Sequence, residues 1–228
     1  MNEFPDPILQ PVDIVYGVYH LTGPWRGDDR WWIQRLVESE TGWMVHNDIY
    51  LDQPAPRYLT LDVELSESWA WRYLNLRDDQ GQMLSAEVVD GSLVVERAGE
   101  VAQLPFGPAS ELSFFSPFMT SLTLRRQRLA VGDRYDCRAV EFDAETFAPR
   151  CLALAFERGE DLVVTLKGQR QTLQQIHRYN IDTGAAATWL ARDDGLVIHT
   201  DEAALSLAAD ASRGRGRMPR MGHGGREV

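Results

Sequence analysis

From Val12 to His199 the chain alternates apolar and polar residues in short runs separated by turn residues. Leu59, Leu61, Val63 and Leu65 fall on one side of an Arg57–Leu65 run, with Tyr58, Thr60, Asp62 and Glu64 on the other. A period of two is the signature of a β-strand with one buried face. The same alternation runs through 12–21, 30–38, 43–51, 69–76, 135–142, 150–157 and 162–166, and the spacing predicts further strands over 170–182, 186–192 and 196–200. Between Glu87-Val88-Val89 and Leu93-Val94-Val95 stands Asp90-Gly91. That pair predicts a two-residue hairpin turn, because such turns need positive φ at both positions.

These units predict an all-β fold: a strongly curved antiparallel sheet, a half-barrel or open barrel. The alternation stops at 104–128, where Pro105, Gly107 and Pro108 are followed by Phe114, Phe115, Phe118 and Met119. This stretch predicts a short helical or irregular plug. Residues 1–11, with three prolines, read as an irregular arm; 12–205 as the half-barrel domain; 206–228, Arg/Gly-rich, as a disordered tail. An alanine-rich run over 202–211 suits a short helix.

Composition narrows the function. The formal charge is −11, and Ser212–Val228 carries five arginines and one glutamate, a net of +4, which leaves −15 on residues 1–211. A body that acidic repels phosphate backbones, which argues against a nucleic-acid partner. No apolar run reaches the length of a membrane span. The N-terminus lacks the basic start and apolar stretch of a secretory signal, so the expected location is cytoplasmic. The two cysteines, Cys137 and Cys151, are expected as buried thiols, although their strands lie close enough to make a bridge conceivable. No motif requires a nucleotide, flavin or metal, so no cofactor and no metal site are expected.

Three stretches carry a resemblance: Trp69-Ala70-Trp71-Arg72, then Ser116-Pro117-Phe118-Met119 running into Leu122-Thr123-Leu124-Arg125-Arg126, and Asp193-Asp194-Gly195-Leu196-Val197. Their order and spacing resemble a family of bacterial proteins named as glycolipid-binding, over roughly residues 30–200. That family's Ser-Pro-Phe motif usually continues with an asparagine, where this chain has Thr120-Ser121. The resemblance implies a curved half-barrel with helical plugs over an apolar cavity, and a binding role.

The function expected is therefore non-enzymatic binding of a hydrophobic or amphipathic small molecule, lipid- or glycolipid-like, in the cavity of the curved sheet. Trp69, Trp71 and Tyr73, read as sharing one strand face, would line it or stack on sugar rings; the same stripe also suits an ordinary packed core. Phe114, Phe115, Phe118 and Met119 would wrap an acyl chain or simply fill the barrel. Arg125 and Arg126 have the planar fork that meets an anionic head group, or they pair with carboxylates. The alternative is an enzyme using the same cavity for isomerisation, cyclisation or hydration of an apolar substrate, with His177, Glu64 and Glu87 as candidate acid–base groups. His46, Asp48 and Tyr50 are assigned to the solvent face.

Overall fold

The computed structural model describes residues 14–22, 26–36, 42–52, 55–166, 169–200 and 203–206. The expected arm, and the tail beyond Ser206, lie outside them. The strands are β1 Ile14–Leu21, β2 Gly27–Leu36, β3 Gly42–Leu51, β4 Arg57–Ser66, β5 Trp71–Asp78, β6 Met83–Val89, β7 Ser92–Arg97, β8 Glu100–Pro105 and β9 Ser110–Ser113. Helix α1 (Pro117–Gln127) follows, then β10 Arg134–Phe142, β11 Pro149–Leu166, β12 Gln169–Asn180, β13 Ala186–Ala191, β14 Val197–Thr200 and β15 Ala203–Ser206.

Among the described residues all fifteen strands join one sheet in the order β8-β7-β6-β5-β4-β3-β2-β1-β15-β14-β13-β12-β11-β10-β9. Every pairing is antiparallel except β9 with β10. Laid flat, fourteen gaps of about 4.8 Å would hold the two edge strands roughly 67 Å apart. Yet β8 and β9 are consecutive in the chain, joined only by residues 106–109. That link spans no more than about 18 Å. The connectivity therefore forces the sheet to curl until its edges meet, which makes the open barrel.

The loop after β10 ties that side of the sheet to β4 and β7. Arg57 donates to the Ala144 carbonyl at 2.5 Å and the Glu145 carbonyl at 3.2 Å, and Arg97 to the Thr146 carbonyl at 2.7 Å. Arg57 is itself held by Asp78 at 2.5 Å. Phe147 of that loop is fully buried.

Helix α1 fills the lumen. Residues 117–124 are all buried, and only the last turn, 125–127, is partly exposed. Its start follows from Ser116-Pro117: the Ser116 hydroxyl accepts from the Phe118 amide at 3.1 Å, and proline at the first helical position forgoes an amide that would lack a partner anyway. Arg125 and Arg126 occupy the last turn, where cations offset the carbonyl end of the helix dipole. Phe118 stacks on Trp31 at 4.2 Å, and Leu59, Leu61, Val63 and Leu65 of β4 lie in the same core.

The Asp90-Gly91 turn is as expected, with φ of 47° and 76°. One expectation is corrected: Ala203–Ser206, inside the alanine-rich run, is strand and not helix. It bridges β14 and β1, and that pairing outweighs the helical preference of alanine. Residues 201–202 and 207–211 of the run lie outside the described residues. The two cysteines do not meet: Cys137 pairs in register with Leu154 and Cys151 with Val140, and both are free. Cys137 is buried but Cys151 is exposed, against the expectation of two buried thiols.

Because residues 117–124 of α1 are all buried, truncating the helix's largest contact leaves a void that cannot collapse. Phe118→Ala is expected to destabilise the protein by about 3–5 kcal/mol in urea denaturation.

Candidate functional site

Two polar anchors pin the plug inside the barrel. Near the C-terminal end of α1, Glu111 of β9 is buried, with 2% of its surface exposed, and all its oxygen bonds are made. It accepts from Trp71 Nε1 at 2.8 Å, Thr123 Oγ1 at 3.0 Å, Tyr135 Oη at 2.9 Å and the Arg126 guanidinium. Near the N-terminal end, Asp29 of β2 is fully buried. It accepts from Asn47 Nδ2 at 2.8 Å and from the Ser116 hydroxyl. Burial raises its carboxyl, the bonds from Ser116 and Asn47 lower it, and the outcome is about 6. Midway, Tyr19 Oη donates to the Val197 carbonyl at 2.7 Å and lies 3.2 Å from Ser121 Oγ.

The expected site residues divide accordingly. Phe114, Phe118 and Met119 are between 1% and 5% exposed and belong to the core, with Phe115 half-buried beside Phe114 at 4.5 Å. Arg126 is committed to Glu111 and to the Ser110 carbonyl. Trp71 and Tyr73 do not share a face. A bulge between β4 and β5 pairs Leu65 with Trp71 but Glu64 with Tyr73, so Arg72 is an extra residue that flips the alternation. Trp71 points inward to Glu111, and Tyr73 sits outward between Glu64 and Glu87. Thus Glu64 and Glu87 lie on the outer face, away from the lumen. His177 is partly exposed and lies 3.1 Å from the Thr188 hydroxyl.

Trp69 is not in a strand at all. It occupies the β4–β5 turn with φ of +66°, a left-handed conformation that is a genuine outlier for a bulky residue. Its ring stacks on Trp43 at 4.5 Å and 21°, and the Arg125 guanidinium lies 4.7 Å from its centroid. Arg35 lies 6.0 Å from the Trp43 ring. Arg125 is aimed by the β13–β14 turn, donating from Nε to the Asp194 carbonyl at 3.1 Å. That turn packs so tightly on the helix that a Cβ at Gly195 would fall 2.6 Å from the Arg125 amide nitrogen. Beside the stack is an open depression of about 440 Å³ lined by Ser66, Glu67, Ser68 and Arg72. Trp43 Nε1 is buried and has no acceptor among the described residues. An unmatched buried donor is rare enough to mark a place where a missing acceptor belongs.

A third cluster covers the outer face of β2–β5. His46 Nδ1 lies 2.5 Å from Asp62, its Nε2 lies 3.4 Å from Asp48, and Trp32 lies over its ring at 3.8 Å. Asp62 also pairs with Arg77 at 3.1 Å, and Tyr58 donates to Asp48. This is the face expected to be solvent, but it is ordered and half-buried. Burial opposes the charge on His46; the bonds and charges of Asp48 and Asp62 outweigh it and lift His46 to about 9.

Asp29, Asn47 and Glu111 were not among the residues singled out by sequence. Their signal is a polar residue inside an inward-facing apolar series: Asp29 before Trp31 and Ile33, and Asn47 between Val45 and Ile49. Among the described residues no group of three or more His, Cys, Asp or Glu side chains is placed to hold a metal. No described helix is long and apolar enough to cross a membrane.

The raised His46 value fixes the sign of a pH effect. Its stabilising charge is fully present below about 6.5 and is lost as pH rises through about 9. The unfolding free energy is expected to fall by about 1–3 kcal/mol between pH 7 and 9.5, after discounting for partial exposure. Urea titrations of wild type and His46→Asn at the two pH values test this, the variant showing no such fall.

No family profile matches the chain, and no curated protein matches it. Among solved structures it is similar to a DUF1089 family protein from Pseudomonas aeruginosa, with a TM-score of 0.51, 18% identity, and coverage of 88% of this chain and 95% of that one. A β-barrel-like protein of the domain of unknown function DUF1849 from Brucella abortus gives a TM-score of 0.47 at 12% identity, over 86% of this chain and 98% of that one. At 18% identity the first likeness is one of fold, the curved β-sheet. Neither description names a ligand.

Proposed function

We propose that the protein binds an amphipathic small molecule, lipid- or glycolipid-like, at the Trp43–Trp69 end of the barrel. The observation that carries this reading is Trp69 itself. A position at φ +66° suits glycine, and any other side chain there costs conformational energy. Trp69 bears that cost at a half-exposed rim, where its ring makes a platform with Trp43 and Arg125. Indole surfaces suit the C–H faces of a sugar or the first methylenes of a tail, each buried methylene contributing about 0.8 kcal/mol. Ser66 and Ser68 place hydroxyl groups beside the platform, in the depression that Glu67 and Arg72 complete. Arg125, held by the Asp194 carbonyl at 3.1 Å and 3.5 Å from its carboxylate, keeps a partly exposed guanidinium over Trp69 that suits an anionic head group.

This differs from the sequence expectation in place rather than in kind. The lumen is occupied by α1, so the platform at the rim replaces the deep cavity as the receiving surface. The catalytic alternative draws less support, because Glu64, Glu87 and His177 do not converge with one another or with the platform.

Alkyl glycosides and fatty acids of matched chain length, titrated against intrinsic tryptophan fluorescence, test the reading. Saturable binding by at least one member is expected. Trp69→Gly is the informative variant, because glycine keeps the turn conformation while removing the ring. It should weaken binding at least tenfold, about 1.4 kcal/mol, without lowering the melting temperature. A flat response across the whole panel would reject the proposal.

A further inference from the structure

Asp29 is a fully buried carboxylate, and both its hydrogen-bond partners among the described residues are neutral. Glu111, at the other end of the same helix, has an arginine. Asp29 faces Tyr19 across β1–β2 and Ile49 across β2–β3, and takes its bonds from Asn47 and from Ser116, the residue that caps α1. Tyr19 has its phenol driven upward by burial and stays neutral, and the first turn of α1 carries no acid. Asp48, on the neighbouring strand, adds a second negative field. The groups bonded to or facing Asp29 on the inner side are thus neutral; the cations of this region, Arg30 and His46, act on Asp48 at the outer face. The adjacent polar atoms are also short of partners: Asn47 Oδ1 and Trp31 Nε1, on residues paired directly in register, are buried with none.

An ionised carboxylate in that setting is relieved by water. The adjoining element that can yield is the Ser116–Phe118 turn. The sheet around Asp29 is continuous, whereas the cap is held by the Ser116 side chain and by the Met119 amide to the Ser116 carbonyl at 3.2 Å.

We propose that Asp29 is a proton-operated latch on the plug: protonated, it lets the N-terminal turn of α1 seat fully in the barrel; ionised, it drives that turn to open and admit water to the lumen. The latch is independent of the binding platform, which lies at the other end of the helix.

The sign follows from linkage. The opened turn returns Asp29 to an ordinary aqueous carboxyl near 3.8, while the closed turn holds it near 6. Opening therefore becomes more favourable as pH rises through that window, by about 100-fold in equilibrium constant.

Amide hydrogen exchange from pH 4 to 7.5, corrected for intrinsic rates, reads this directly. Protection of Phe118 to Leu122 is expected to fall up to about 100-fold, while β4 amides Leu59 to Leu65 hold theirs. Asp29→Asn should flatten the dependence. Should that variant not fold, the carboxyl carbon shift of Asp29 in wild type must titrate with the same midpoint as the loss of protection. Equal protection at both pH values, a fall shared by β4, or an unchanged profile in Asp29→Asn would each overturn the latch.

Discussion

The structure depends on filling the space that a closed-up sheet creates. Connectivity brings the two edges of a fifteen-stranded sheet within four residues of each other. A sheet closed up in this way leaves a space between its inward side chains. Van der Waals contact is lost wherever that space stands empty. Helix α1 supplies the missing contact, and its enclosure explains its composition. A helix buried over residues 117–124 has no use for an amphipathic pattern there, so serine and threonine are admitted wherever a partner is fixed opposite them. Ser121 meets Tyr19 and the Val197 amide, Thr123 meets Glu111, and Ser116 meets Asp29.

The two ends of the helix meet the same electrostatic problem with different solutions. At the C-terminal end, the Glu111 carboxylate is compensated by Arg126 and three further donors, an arrangement that resists water because nothing is left unpaired. At the N-terminal end, the Asp29 carboxylate has two donors and no cation among its described partners. The helix dipole favours a negative charge there, but not by enough to cancel complete desolvation, and the carboxyl stays well above its usual range. One end is locked and the other is conditional. A plug built this way has a fixed side and a latch side.

Much of this was legible in the chain and some was not. Strand alternation in 57–65 and the Asp90-Gly91 turn are local signals, and both appear as read. The plug was visible as a break in alternation, and its start is encoded in Ser116-Pro117. Three things were not legible. The bulge at Arg72 reverses the faces of Trp71 and Tyr73, because register is a property of the pair β4–β5 and not of either strand alone. Ala203–Ser206 becomes a strand only because β1 and β14 present edges to it. Asp29, Asn47 and Glu111 look like ordinary solvent-facing polar residues until the fold shows that their neighbours in the alternation face inward.

A filled lumen changes what an aromatic-rich half-barrel can be asked to do. Phe118 and Met119 are consumed by packing against the wall, so their removal would cost stability before it cost affinity. What is left over for recognition must lie where the wall ends and packing is incomplete. Trp43 and Trp69 meet that condition: they stack on each other, are only partly covered, and leave an indole donor unmatched. The strained backbone at Trp69 sharpens the point. A turn needing φ near +66° is most cheaply made by glycine, as Gly91 and Gly99 make theirs at 76° and 80°. Placing tryptophan there trades backbone comfort for an indole at the rim, where it packs on the edge of the core and stays partly exposed.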